Sequence, residues 1–196
     1  KDKERAGSYL SSLLFSAAWV GFWIYTPQLL QSSLGYSAFI TSIVLVPMAI
    51  LLFIVAVQAR RLIELFGNGK IMVMGFLFVL VSLIGLMLQA QSKNILLLIL
   101  MTLLFGIGFA LAFATMANSG LVRVKPEMTG SASGVYNTAR QFGGALGLSL
   151  FSAFSHELTS IIDIFQNAMF IGSILTALGL LTVFMFILPT ENKKFK

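Results

Sequence analysis

The chain predicts an all-α membrane bundle of six transmembrane helices, and three observations carry that class. Six apolar stretches fill almost all of its 196 residues, at 9–31, 38–59, 71–90, 95–118, 131–155 and 167–188. Each reaches the length of about 20 residues that a helix needs to cross the hydrocarbon core. Hydrophobic residues make up 58% of the chain and charged ones 10%, too few to clothe a water-soluble domain. Finally, eleven of the thirteen Lys and Arg fall on one side of the six stretches, before the first, between two and three, between four and five, and after the sixth. That asymmetry puts both termini and the basic loops in the cytoplasm.

The first span carries Ser8, Ser12, Ser16, Trp19, Trp23 and Thr26 on one stripe, with Leu13, Ala17, Val20 and Ile24 turned away from it. Paired indoles beside small hydroxyls suit an amphipathic pocket wall, although two Trp on a membrane helix also serve as plain packing groups. An uncharged loop, 32–37, leads to span two with Pro47 near its centre. Arg60, Arg61 and Lys70 mark the next basic loop. Its Gly67-Asn68-Gly69-Lys70 resembles the tail of a phosphate loop but lacks the earlier glycine and the closing Ser or Thr. A tight turn at 91–94 joins spans three and four. Span four steps through Gly106, Ala110 and Ala114 with Thr102, a pattern that predicts a packing seam. Pro126 breaks the chain before span five, and residues 156–166 have the alternation of a short interfacial helix ahead of span six.

Span five is the informative one. At about 100° per residue, Gly130, Ser133, Gly134, Asn137, Arg140, Gln141, Gly144 and Gly147 share a sector, with Val135, Ala139, Phe142, Leu146 and Leu150 opposite. Unpaired polar groups at this depth cost several kcal/mol. An arginine near mid-span is unfavourable by about 2.5–3.5 kcal/mol on insertion scales, so such residues face a bundle interior or a watery path. Arg140 lies about 15 Å past the start of the span at helical rise; snorkelling toward headgroups is the competing reading. Asn137 and Gln141 are too short to follow it out. None of the seven acidic residues lies within a span, so the countercharge of Arg140 is expected from a partner segment, a substrate or water.

Other chemistry is excluded. With no cysteine there is no disulfide, thiolate nucleophile or Cys-ligated metal. The lone His156 sits at a span end without a second ligand, so no metal site is expected. No HExxH, GxSxG or intramembrane carboxylate pair is present, and no catalytic residue is assigned. The net charge of +6 is spread over short loops without base-stacking aromatics, which favours topology and anionic headgroups over nucleic acid. The chain does not begin with Met, and a piece of something longer is expected.

The run from Gly130 through Gly147 follows Gly-x-Ala-Ser-Gly-x-x-Asn-x-x-Arg-Gln-x-Gly-Gly-Ala-x-Gly almost throughout. It resembles the penultimate span of the fourteen-span drug:proton antiporters, the EmrB/QacA-type branch of the major facilitator superfamily. Gln31, Leu34-Gly35-Tyr36-Ser37, Pro47 and Gly106-Ile107-Gly108 are similar to further marks of that family. Two departures stand out. Arg60 to Gly67 is a degenerate copy of the cytoplasmic Gly-x-Leu-x-Asp-Arg-x-Gly loop, with Glu64 for Asp and Leu65 for Arg. The proline expected after the span-four glycines is absent as well.

The resemblance implies that residues 1–196 form the C-terminal six-helix lobe of such a transporter, a 3+3 inverted repeat. It also implies an N-terminal lobe and two linker spans outside this sequence, where the proton-carrying carboxylates are expected. The implied function is proton-coupled efflux of small lipophilic compounds by alternating access. The implied setting is the bacterial cytoplasmic membrane, with lipid around the lobe and no cofactor beyond the proton gradient. Asn137, Arg140 and Gln141 are then expected as polar cavity groups, and Trp19 and Trp23 as its aromatic wall. Pro47, Gly106, Gly134, Gly143, Gly144 and Gly147 are expected to serve helix packing and gating. Such exporters often take cations, which Arg140 would repel, so an anionic or zwitterionic substrate stays open. The alternatives are a self-contained six-helix homodimeric transporter and a non-transporting membrane scaffold or sensor.

Overall fold

The computed structural model describes residues 3–92 and 94–192. Lys1, Lys93 and the C-terminal Lys193, Lys194 and Lys196, all part of the charge count above, lie outside them.

Helix α1 runs Lys3–Gln28 and continues through a π-helical turn, Leu29–Ser33. It starts several residues before the apolar stretch because Glu4 is buried there against Arg123, at 2.5 Å. Pro27 lies inside α1; proline donates no N–H and crowds the preceding turn, and the chain widens to the π turn directly after it. Helix α2 spans Ala38–Phe66, with Ser37 accepting from Ile40 N–H as its cap. Gly67 takes φ 91° and its N–H returns to the Ile63 carbonyl at 2.9 Å. That left-handed conformation lets glycine turn the chain straight into α3, Asn68–Gln89. Asn94 caps α4, Ile95–Gly120. Pro126 opens a single 3-10 turn before α5, Thr129–Ser155. Helix α6, Ile161–Thr182, is prolonged by a second π turn, Val183–Ile187, and a last turn α7, Leu188–Asn192.

No separate interfacial helix forms between α5 and α6. Residues 156–160 are turn and coil, and Ser160 leads directly into α6. Asn167 accounts for the compactness: its Nδ2 donates to the Phe154 carbonyl at 2.8 Å and to Ser155 Oγ at 3.0 Å, drawing α6 back onto the end of α5.

Helices α1 and α4 are central. The first packs on α5, α6 and α4, the second on α2, α3 and α1, and α3 meets α6. Exchanging α1 with α4, α2 with α5 and α3 with α6 returns the same set of neighbours. Along α1 and α4 the contacts run in opposite directions, from Ser8 with Met116 to Phe22 with Phe105. The two three-helix halves are therefore related by inversion. The symmetry leaves α2 and α5 outermost. In α2 only Thr41, Leu45, Met48 and Ala59 are buried, while Phe39, Phe53 and Val57 stay exposed. Among the described residues five helices are long and apolar enough to cross a membrane. The sixth, α5, has 27 residues and runs beside α1, its hydropathy lowered by glycine and polar residues.

Close seams hold these helices together. Gly75 and Gly108 bring the backbones of α3 and α4 into contact. At one end of that seam Asn68 Nδ2 donates to Ser119 Oγ at 2.7 Å and to the Thr115 carbonyl at 3.2 Å, and Asn118 Nδ2 donates to Asn68 Oδ1 at 3.0 Å. The core runs through Phe15, Phe22, Phe76, Phe105, Phe151 and Phe165, each 2% exposed or less.

Candidate functional site

Helices α1 and α5 run parallel, and their contact is set by small residues at helical spacing. Gly143 lies against the Leu13 backbone and Gly147 against that of Ala17, where an added methyl would sit 2.6 Å from the Cα; one turn on, Phe151 fills the space beside Gly21. This close approach turns a neighbouring strip of α5 toward a cavity of about 350 Å3 between the two helices. Ser16, Trp19 and Val20 of α1 line it, facing Arg140, Gln141 and Gly144 of α5.

Arg140 reaches the cavity with few partners. Its Nη2 donates to Asn137 Oδ1 at 3.5 Å, and its guanidinium carbon lies 5.2 Å from the centre of the Phe113 ring. Its Nε is buried without a hydrogen-bond partner. Among the described residues no carboxylate comes within ion-pair distance of it. The aromatic ring thus supplies part of the stabilisation that an anion would otherwise supply.

The structure divides the residues expected from sequence. Trp19, Arg140 and Gln141 meet at the cavity, and Asn137 joins them through Arg140. Trp23 does not line it: 39% exposed, it lies edge-on to Trp19 at 5.3 Å. The hydroxyl stripe of α1 is divided too. Ser8 donates to the Met116 carbonyl at 2.6 Å, and Ser8, Ser12 and Thr26 are fully buried inside the bundle. Only Ser16 joins Trp19 at the cavity. Gly144 faces Val20, whereas a side chain at Gly134 would meet open space. Gly106 packs on Met48 of α2, and its neighbour Pro47 is exposed.

Sequence reasoning missed Phe113 and the wall to which it belongs. Phe105, Phe109 and Phe113 follow one another at single-turn intervals on α4. Phe105 stacks on Phe22 at 3.8 Å, Phe109 on Trp19 at 3.8 Å, and Phe113 on Phe109 at 5.5 Å. The one-turn spacing is visible in the sequence, but the small residues Gly106, Ala110 and Ala114 share the same stretch and give it the pattern of a packing seam. A second, larger cavity of about 640 Å3 opens at the start of α1, where Arg5, Tyr9, Arg123 and Lys125 border it. It lies at the helix ends and not at mid-span, with Arg123, the ion-pair partner of Glu4, among its lining residues.

Comparison with known proteins accords with this architecture. Residues 5–148 match the Major Facilitator Superfamily. The chain is also similar to the quinolone resistance protein NorB of Staphylococcus aureus strains COL, MRSA252 and JH9. Identity is 24% over 196 residues in each case, covering 98% of this chain and 42% of each relative. The chain therefore spans about two-fifths of the length of the curated relatives it matches. With the family matched across α1 to α4 and most of α5, and the six long helices related by inversion, this integral membrane chain belongs to the major facilitator superfamily.

Proposed function

We propose that residues 1–196 form the C-terminal lobe of a proton-coupled exporter of small lipophilic compounds. The lobe sits in a bacterial cytoplasmic membrane with both termini in the cytoplasm, and rocks against an N-terminal lobe to expose a shared site to either side in turn. The observation that carries this reading is the cavity between α1 and α5. It combines an aromatic wall with a guanidinium held near the middle of a span, and it borders α5, an outermost helix with one side uncovered. The relatives' names speak of quinolone resistance, which supports drug-like cargo and makes quinolones sensible first test compounds. In this reading Trp19, Arg140, Gln141 and Asn137 contact cargo, Trp23 supports Trp19, and the Gly143–Gly147 seam lets α1 and α5 move as a closely fitted pair. The carboxylates that carry protons belong to the other lobe, since no acidic residue lies at mid-span here.

The test is efflux by the full-length gene product in inverted membrane vesicles. A proton gradient should drive accumulation of a quinolone, and an uncoupler should abolish it. Gradient-independent behaviour would leave the scaffold reading in its place. A native mass of two copies of this chain alone, active in transport, would favour the homodimer. Transport retained after Asn137→Ala, Arg140→Ala and Gln141→Ala together would remove the cavity from the path.

A further inference from the structure

We propose that the α1–α5 cavity is an anion-selective aromatic subsite, in which Arg140 receives the carboxylate of a flat aromatic substrate whose ring lies against Trp19. The inference rests on the reading of the chain as a transporter lobe and names the chemistry of its cargo.

Charge carries the first part. A guanidinium offers five N–H donors in a planar fork that a carboxylate engages two at a time. Arg140 uses that fork for a single 3.5 Å hydrogen bond and leaves Nε buried and unpaired. The other residues lining the cavity, Ser16, Trp19, Val20, Gln141, Gly144, Ala145 and Leu148, are uncharged. A cationic ligand would bring a second positive charge beside the first, whereas an anion supplies the missing partner.

The aromatic wall carries the second part. From Phe22 through Phe105, Trp19 and Phe109 to Phe113, stacked rings of α1 and α4 lead to the guanidinium. Trp19 is the member of that wall that borders the cavity, so an entering ring extends an existing stack. A volume of about 350 Å3 is at the small end of the range of about 300–1,000 Å3 for organic ligands, which suits a fused bicycle. Phe113 is a positioning residue: its face holds the guanidinium at depth, and without it the flexible side chain is free to extend toward headgroups.

The experiment is equilibrium binding to the full-length transporter in nanodiscs with three probes of similar size: 2-naphthoate, N-methylquinolinium and decalin-2-carboxylate. Wild type should prefer 2-naphthoate. Arg140→Gln should weaken it by about 10- to 100-fold while leaving N-methylquinolinium unchanged or tighter, and Arg140→Lys, which keeps the charge without the fork, should fall between. Trp19→Leu should weaken 2-naphthoate by about 2- to 10-fold and spare the saturated acid. Phe113→Leu should lower the ratio of naphthoate to quinolinium affinity, and Phe113→Tyr should restore it. Equal losses for both charges in Arg140→Gln, or a wild-type preference for the cation, would overturn the subsite. Selective naphthoate binding without gradient-driven export would keep the subsite and remove the exporter reading. Export without charge selectivity at Arg140 would do the reverse.

Discussion

The backbones of Gly143 and Leu13 touch, leaving no room between α5 and α1 for even a methyl group. The contact fixes which strip of α5 faces the cavity, because a glycine pair at four-residue spacing can lie flat on only one neighbour. Gly143→Val should force the helices apart at a cost of about 1–3 kcal/mol. Gly134→Ala, in open surroundings, should be neutral or stabilising by up to about 1 kcal/mol. Thermal unfolding of the two full-length variants in detergent compares them directly; equal melting temperatures would contradict the seam.

Asn68 ties the start of α3 to the end of α4 through the side chains and carbonyl described above. Replacing it with Ala leaves the Thr115 carbonyl and the Ser119 hydroxyl without that donor, and a loss of about 1–3 kcal/mol is expected. Asn118→Ala, at an exposed position, should lose less. Thermal shifts for both variants check the order.

Glu4 and Arg123 join α1 to the α4–α5 connection, with the Glu4 side chain 6% exposed and that of Arg123 47%. A double-mutant cycle with Glu4→Gln and Arg123→Gln should return a favourable coupling of about 1 kcal/mol, since one partner is desolvated and the other remains in contact with water. A coupling indistinguishable from zero would make the pair incidental.

Because the chain has no cysteine, single thiols report accessibility without background from these 196 residues. Asn137→Cys and Gln141→Cys should react with a membrane-impermeant maleimide, and bound cargo should slow the reaction at Gln141. Met72→Cys and Phe76→Cys, in the core, should stay unlabelled. Protection of residues 137 and 141 from aqueous reagent but not from a lipid-soluble one would turn that face into the bilayer and dismantle the cavity.

The fold class was legible in the sequence because the bilayer imposes a length and an apolarity on every span, and both are local properties of the chain. The polar character of α5 was equally legible, since Asn137, Arg140 and Gln141 share a helical sector whatever surrounds them. Connection geometry was less so: the α5–α6 link contracted from an expected helix to a turn because Asn167 reaches the end of α5, a contact across thirteen residues.

Which partner each face meets was decided only in three dimensions. The hydroxyl stripe of α1 reads as one surface, yet α4 claims Ser8 through the Met116 carbonyl while α5 leaves Ser16 and Trp19 at the cavity. Arg140 was identifiable as a charge within a span, but its resting place on Phe113 depends on how α4 packs against α1. Helical periodicity specifies which residues sit side by side on one helix. Packing of glycine seams and aromatic rings between helices specifies which of those faces becomes a core and which a site.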